Sequence, residues 1–160
     1  MKEINLTTKI KVYLLDECTE TEKKLIEEAK QATKNAYAPY SHFHVGAAVL
    51  LENGEILSGN NQENAAYPSG LCAERTTVFF ANANYPDQKI TALAVAAYNK
   101  GKFTTDVITP CGACRQVLLE IENKWRSPMK IFLYSDEGVY VFESIKDLLP
   151  LSFGDDMLKK

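Results

Sequence analysis

The sequence lacks a long apolar run. Its longest nearly apolar stretch, residues 90–98, is far shorter than the ~20 residues that a membrane-spanning helix needs, and it suits a buried strand. The first residues show no basic segment followed by an apolar one. We therefore expect no membrane association, no secretory signal and a cytoplasmic location.

The sequence also lacks a concentration of basic residues. It has 18 basic and 21 acidic side chains, a net charge of −3, and the basic ones are scattered. Proteins that grip a nucleic-acid backbone usually carry a basic stripe, because neutralising phosphates supplies most of their affinity. The charge therefore disfavours a nucleic acid as partner and leaves small molecules as the expected substrates.

No internal repeat, low-complexity tract or Pro/Gly-rich linker divides the 160 residues. We therefore predict a single domain over residues 1–160, with its core at about 20–153. Only two histidines and four cysteines are present. Because a cytoplasmic chain keeps its cysteines reduced, disulfides are not expected, and Cys18 is interpreted as an ordinary thiol.

Helical and strand patterns alternate along the chain. Thr19 and Glu22 have the spacing of a capping box ahead of a helix that ends near Pro39, and Asn53-Gly54 is typical of a hairpin turn. Strands are predicted at 42–51, 55–59, 89–98, 129–134 and 138–142. Further helices are predicted from about 72, from 110 to 121 and at 144–149. In the helix that begins near 72, Val78, Phe79 and Phe80 are expected to face inward. This alternation predicts an α/β fold, a three-layer α/β/α sandwich with a mixed sheet of about five strands.

Three cysteines occur in two short motifs, Cys72-Ala73-Glu74-Arg75 and Pro110-Cys111-Gly112-Ala113-Cys114-Arg115. Cys111 and Cys114 are three apart, so at the start of a helix both sulfurs can face one point. A helix N-terminus also favours thiolate over thiol. We predict that Cys72, Cys111 and Cys114 bind one Zn²⁺ ion, which suits thiolate-rich tetrahedral sites.

Three protein ligands leave a fourth position for water, which is typical of catalytic rather than structural zinc. Glu74 is predicted to lie beside that water and to move its proton to the substrate. Three thiolates leave the site with a net negative charge, which Arg75 or Arg115 could offset by hydrogen bonding to sulfur. We favour Arg75. A Cys-x-x-Cys pair alone could equally be a redox pair or half of a structural zinc site.

The two motifs resemble those of the zinc deaminase superfamily. Cys72 as first ligand is similar to the small homotetrameric cytidine deaminases, and the resemblance extends over residues 39–48, 61–67 and 148–153. It implies a hydrolase that converts free cytidine and deoxycytidine to uridine, deoxyuridine and ammonia in pyrimidine salvage, with shared active sites in a homotetramer. The nucleoside-binding residues that it implies are Phe43, Asn61, Glu63, Ala65, Tyr67, Ala73 and Phe153.

Glu63 supports a free nucleoside over DNA or RNA, because a buried carboxylate at the sugar hydroxyl would repel a phosphate there. One alternative is a deaminase of the blasticidin S type, which shares both cysteine motifs. A nucleic-acid editor is disfavoured by charge. A non-enzymatic protein with a structural zinc site is the alternative from another class, and it requires a fourth ligand, for which His42 or His44 would be the candidates.

Overall fold

Strands and helices alternate along the chain in the computed structural model, which describes residues 1–158. The strands are β1 (Lys11–Tyr13), β2 (His44–Leu51), β3 (Ile56–Asn60), β4 (Ile90–Asn99), β5 (Lys102–Phe103), β6 (Lys130–Ser135) and β7 (Gly138–Phe142). The α-helices are α1 (Glu20–Ala32), α2 (Ala73–Asn84) and α3 (Gly112–Trp125). Short 3-10 turns occupy Leu15–Glu17, Thr33–Asn35, Tyr67–Ser69, Ile145–Asp147 and Asp155–Met157.

The strands form one mixed sheet in the order β1-β7-β6-β4-β2-β3, with β5 paired to β4. Only β4 and β6 are parallel among the described pairs, with Leu93 opposite Ile131. β2 runs antiparallel to both β3 and β4 and lies between them, so β3, β4 and β6 all point the same way. The helices that connect these three strands, α2 and α3, therefore both begin at the same edge of the sheet.

The sheet separates two hydrophobic cores. On one face α1 buries Leu25, Ile26 and Ala29 completely. On the other face α2 and α3 bury Val78 and Leu118 against the strands. The prediction of three layers with helices on both faces is confirmed.

Small residues let α1 approach the sheet closely. Gly46 lies in β2 beneath the helix, and a Cβ atom placed there would stand 2.0 Å from the carbonyl oxygen of Ala29. Such a contact is far inside van der Waals distance, so any larger residue at position 46 would push α1 away from β2.

The capping box and the hairpin turn are found where they were predicted, whereas α1 ends at Ala32, before the predicted end near Pro39, and is followed by the 3-10 turn Thr33–Asn35. The Thr19 hydroxyl accepts a hydrogen bond from the Glu22 amide at 3.3 Å, and the Glu22 carboxylate accepts one from the Thr19 amide at 3.0 Å. Gly54 adopts a φ of 90° in the turn between β2 and β3, a conformation that favours glycine. Both helix start and hairpin therefore follow from short-range chemistry.

The predicted number of strands is too small, because the sheet has seven strands rather than about five. The two extra strands, β1 and β5, have three and two residues and carry no apolar alternation strong enough to be recognised. His42 also lies outside its predicted strand. It has a φ of 56° and precedes β2, which begins at His44.

The inward orientation predicted for Phe79 and Phe80 is wrong. Val78 is completely buried, but Phe79 and Phe80 are 45% and 50% exposed on the outer side of α2. Three consecutive helical residues span about 200° of the helix circumference, so they cannot all face the same core.

In the described part of the chain, no helix is long and apolar enough to cross a bilayer.

Candidate active site

Three cysteine sulfurs meet where α2 and α3 begin. Cys72 is the N-cap residue of α2, Cys111 is the N-cap residue of α3, and Cys114 lies in the first turn of α3. The Sγ atoms of Cys72 and Cys111 are 3.8 Å apart, and those of Cys111 and Cys114 are 3.5 Å apart. All three sulfurs lie within 4.8 Å of one another. The common edge of the sheet thus brings together residues that are 39 positions apart.

These distances fit a zinc ion. A tetrahedral site with Zn–S bonds of about 2.3 Å places its sulfurs about 3.8 Å apart. The cysteines are free rather than disulfide-bonded, and within residues 1–158 the group able to hold a metal consists of these three residues. Neither His42 nor His44 belongs to it. The site can therefore bind one metal ion through three thiolates and keep a fourth position open.

The thiols of the cluster differ in acidity. Hydrogen bonding from the Cys114 thiol, and then from Arg75, outweighs burial and lowers the pKa of Cys72 to about 5. The same bond to Cys72, together with burial, raises the pKa of Cys114. Without a metal, negative charge is therefore favoured at Cys72, whereas Cys114 needs a nearby cation to lose its proton.

Glu74 is the second residue of α2, and its side chain is buried beside the cluster. Burial raises the pKa of its carboxyl group, and the Cys114 thiol lies within hydrogen-bonding reach. Glu74 thus lies next to the predicted ligands, and its role as a proton carrier stays a prediction. A carboxyl group with a raised pKa next to a metal site is suited to accept and donate a proton.

The two arginines of the motifs have different partners. Nη2 of Arg75 donates to Sγ of Cys72 at 3.8 Å, as favoured from the sequence. Arg115 instead donates to the carbonyl oxygens of Pro110 and Leu148 and to the Thr109 hydroxyl. Charge compensation at sulfur is therefore supported for Arg75 and not for Arg115.

A cavity of about 470 Å³ opens next to the cluster. Cys72 and Arg75 form its inner wall, and Asn61, Glu63 and Tyr67 are among its other lining residues. A larger cavity of about 550 Å³ lies around the C-terminal end of α3. It contains none of the three cysteines, so the smaller cavity is the one where chemistry and space coincide.

Asn61 and Glu63 make extensive contacts within the chain. The Asn61 side chain accepts from the Val45 amide at 2.8 Å and donates to the Phe43 carbonyl at 2.9 Å. The Glu63 carboxylate accepts from the amides of Tyr40 and Ser41 and from the Ser41 hydroxyl. These bonds, with that from the Ser41 hydroxyl contributing most, lower the pKa of Glu63. Glu63 is only half-buried in the isolated chain, whereas the sequence argument assumed a buried carboxylate.

The other predicted nucleoside-binding residues are dispersed. Ala73 is fully buried at the start of α2, whereas Ala65 and Tyr67 are exposed in the loop ahead of it. Phe43 is half-buried before β2 and lies outside the cavity lining. Phe153 is 57% exposed, and its carbonyl accepts from the Gln116 side chain at 3.0 Å. Among these residues Tyr67 alone lines the cavity with Asn61 and Glu63, and the chain alone does not bring the other four into it.

Tyr40 and Ser41 line the cavity but were given no role from the sequence. Tyr40 packs edge-on against Tyr67 with ring centroids 6.4 Å apart, and Ser41 holds Glu63. Both residues belong to the motif at 39–48, so the sequence indicated that this segment lies near the site. The spacing of the motif did not reveal which of its side chains face the cavity.

A layered α/β fold with an open three-cysteine site and an adjacent buried glutamate defines a zinc-dependent deaminase. Comparison with known proteins agrees. A family model described as "Cytidine and deoxycytidylate deaminase zinc-binding region" matches residues 19–126. The chain belongs to this family, and it is an enzyme of that type.

Similar proteins come from several organisms. A cytidine deaminase of Sporosarcina psychrophila is 42% identical over 135 residues, which cover 84% of this chain and 93% of the relative. A cytidine deaminase of Halalkalibacterium halodurans is 40% identical over 134 residues, 83% of this chain and 95% of the relative. The crystal structure of cytidine deaminase from Burkholderia pseudomallei is 42% identical and superposes with a TM-score of 0.70, over 81% of this chain and 97% of that one.

Proposed function

We propose that this protein hydrolyses free cytidine and deoxycytidine to uridine and deoxyuridine, with release of ammonia, and thereby serves pyrimidine salvage. The observation that carries the proposal is the convergence of three cysteine sulfurs beside the buried carboxyl group of Glu74. The similarity to proteins named cytidine deaminases supports cytosine nucleosides as the substrates.

In this mechanism Cys72, Cys111 and Cys114 hold one zinc ion per subunit, and Glu74 moves protons. Zinc supplies Lewis acidity that lowers the pKa of the attacking water towards about 7. Glu74 takes a proton from that water and gives it to the ring nitrogen N3. It then takes the second proton of that water from the oxygen now bonded to C4 and gives it to the exocyclic amine. The C4–N bond breaks, ammonia leaves and the oxygen becomes the carbonyl of uridine. Its buried position supports this role, because a carboxyl group with a raised pKa is more easily protonated during turnover.

Arg75 compensates the charge of the thiolates. A site with three thiolates and a divalent cation has a net charge of about −1, which weakens the acidification of water. The bond from Arg75 to the Cys72 sulfur withdraws part of that charge. Arg75 thus tunes the centre without itself binding the metal.

For the nucleoside, Asn61 and Glu63 bind the sugar 3′-hydroxyl, Phe43 packs on the pyrimidine, and the Ala73 backbone reads the base edge. Asn61 and Glu63 line the cavity beside Cys72, which supports their part of this assignment. Their contacts with residues 40–45 hold them in place before substrate arrives. An ionised Glu63 rejects a phosphate at the 3′ oxygen and therefore selects free nucleosides.

The protein forms a homotetramer in which neighbouring subunits share their active sites. Ala65, Tyr67 and Phe153 of one subunit supply the remaining contacts to the nucleoside bound by a neighbour. Tyr67 is 78% exposed and Phe153 57% exposed, as expected of side chains that complete a neighbour's site. Phe79 and Phe80 lie exposed on α2 and offer an apolar surface for this assembly. The protein acts as a single domain in the cytoplasm, without nucleic-acid or membrane partners.

A spectrophotometric assay tests the proposal directly. Purified protein, with its zinc content measured, is incubated with cytidine or deoxycytidine, and loss of the cytosine absorbance is followed with and without a chelator. The proposal requires zinc-dependent turnover of both nucleosides and release of ammonia. Zinc-loaded, folded protein that turns over neither nucleoside would contradict it, and blasticidin S serves as the comparison substrate.

A further inference from the structure

The Arg115 side chain connects α3 to two other segments of the chain, residues 109–110 and Leu148. Each nitrogen of its guanidinium donates one hydrogen bond. Nε bonds to the Pro110 carbonyl at 2.8 Å, Nη1 to the Leu148 carbonyl at 2.7 Å, and Nη2 to the Thr109 hydroxyl at 3.1 Å. Planar guanidinium groups make such multiple bonds with fixed geometry, which an ammonium group cannot reproduce.

Two of these partners, Thr109 and Pro110, lie on the approach to a metal ligand. Thr109 and Pro110 directly precede Cys111, which is the N-cap residue of α3. An N-cap side chain normally accepts a hydrogen bond from the helix backbone, but Cys111 makes no such bond. The start of α3 therefore lacks its usual local restraint, and the bonds from Arg115 provide one from within the first turn.

The other partner, Leu148, connects the ligand helix to the C-terminal segment. Leu148 follows the 3-10 turn Ile145–Asp147, and α3 also holds the other end of that turn. There the Glu122 carboxylate accepts from the Ile145 amide and the Ser144 hydroxyl, at 2.9 and 2.7 Å. Arg115 and Glu122 are seven residues apart, two helical turns, so they lie on the same face of α3.

The charges of this pair match the dipole of the turn. The acidic side chain binds its N-terminal end and the basic side chain binds its C-terminal end. Gln116 extends the contact by donating to the Phe153 carbonyl at 3.0 Å. The helix that supplies Cys111 and Cys114 is thus the helix on which the C-terminal segment is docked.

We infer that Arg115 is a positioning residue of the metal centre, because it fixes the backbone before Cys111 against the docked C-terminal segment and so sets the zinc affinity. This inference rests on the zinc centre of the proposed function. Arg115 acts through the geometry of Cys111 and Cys114 rather than through charge at sulfur. Its removal leaves all three ligands present but less well preorganised, which weakens metal binding.

Zinc affinity measured by competition with a chromophoric chelator tests this inference in the full-length protein. The variants are Arg115→Gln, Arg115→Lys and Thr109→Val, at a temperature where circular dichroism shows each metal-free variant to be folded. We expect Arg115→Gln to bind zinc about 10- to 100-fold more weakly than the unmodified chain. Arg115→Lys should recover part of the loss, and Thr109→Val, which removes one bond, should show a smaller loss.

Glu122→Gln is the matched control, because it loosens the same 3-10 turn at its far end and leaves the bonds at residues 109 and 110 intact. It should lower the melting temperature of the metal-free protein without changing zinc affinity. If Glu122→Gln and Arg115→Gln weaken zinc binding equally, the loss of zinc affinity follows from general destabilisation of the fold, and the inference is overturned. Unchanged affinity in Arg115→Gln and Thr109→Val would overturn it as well.

The two proposals fail in different ways. If the unmodified protein does not bind zinc, the metal centre itself is refuted. If the unmodified protein binds zinc and deaminates cytidine but the Arg115 variants bind zinc equally well, only the positioning role is refuted.

Discussion

Nη2 of Arg75 donates a hydrogen bond to the sulfur of Cys72 at 3.8 Å, so the guanidinium charge lies next to one of the three predicted metal ligands. Both residues lie within the first turn of the helix that also carries Glu74. In the proposed mechanism this one turn supplies a ligand, a proton carrier and a compensating charge. Substitutions can separate these roles from one another and from the stability of the fold.

Glu74→Gln should retain zinc and fold but lose turnover. The amide is nearly isosteric with the carboxyl group but cannot carry a proton, so we expect kcat to fall by about 10²- to 10⁴-fold. Steady-state kinetics and metal analysis of the same preparation measure both quantities. Glu120→Gln, at an exposed position on α3, is the control and should remain fully active. Near-normal kcat in Glu74→Gln would remove this residue from the mechanism.

Cys111→Ser should lose the metal. Two remaining thiolates hold zinc much less tightly, and because metal binding contributes to folding, the variant should also melt at a lower temperature. Atomic absorption and thermal unfolding measure the two effects. Cys18→Ala removes the cysteine that is buried under α1, so it should keep one zinc ion per chain. Full zinc content in Cys111→Ser would show that Cys111 is not needed to bind the metal.

Cytidine 3′-phosphate should be a poor substrate. At a separation of about 4 Å the repulsion between its phosphate and Glu63 should lower kcat/KM by about 100-fold or more relative to cytidine. Glu63→Gln should narrow this difference and raise KM for cytidine. Glu55→Gln, in the hairpin, should change neither. Efficient deamination of cytosine within an oligonucleotide would contradict the selection of free nucleosides.

Replacing Phe79 and Phe80 together with glutamine should reduce the size of the assembly in sedimentation velocity. Both side chains are about half exposed on α2, and their burial against other subunits would stabilise a tetramer. Replacing Ile4 and Leu6 with glutamine changes two exposed apolar residues outside the region matched by the family model, and it should leave the assembly intact. If the Phe79/Phe80 variant forms an assembly of unchanged size, these two residues do not form the subunit interface.

Glu22→Gln should destabilise the metal-free protein at neutral pH and less in acid. Burial opposes ionisation of Glu22, but hydrogen bonds from Lys130 and Thr19 outweigh it and hold the pKa of Glu22 below its ordinary value of 4.5. The stabilisation is complete above pH 4.5 and is lost as the pH falls through the lowered pKa.

We expect Glu22→Gln to lose about 1 kcal/mol of unfolding free energy at neutral pH. Urea denaturation across the acid range should show the two proteins converging. Glu28→Gln, on the same helix, leaves the pair with Lys130 intact and is the control. A difference between Glu22→Gln and the unmodified chain that does not depend on pH would exclude the ion pair as its source.

Short-range signals predicted most of the fold. The capping box at Thr19 and the turn at Gly54 depend on neighbouring residues only, and both occur where the sequence placed them. β1 was missed because its three residues are ordered by pairing with β7, with Lys11 opposite Val141. No pattern within residues 11–13 indicates that partner. Long-range pairing is therefore where sequence reasoning failed.

The metal cluster was predictable because each motif places its ligands at a helix start, whereas the orientation of other side chains depends on packing. Phe79 and Phe80 extend the apolar run begun by Val78, but the position of the sheet decides which of them is buried. The role of Arg115 was not predictable either. Its partner Leu148 is 33 residues away, and a carbonyl acceptor leaves no trace in the sequence.

The position of the ligands at the start of two consecutive crossover helices has an evolutionary consequence. The strand order β6-β4-β2-β3 brings both helix starts to one edge of the sheet, although Cys72 and Cys111 are 39 positions apart in the sequence. We therefore expect peptides inserted between Thr105 and Asp106, both exposed in the connection that follows β5, to leave the three sulfur atoms in place. That connection is available for new substrate contacts or regulatory segments, and the catalytic chemistry stays the same as it diversifies.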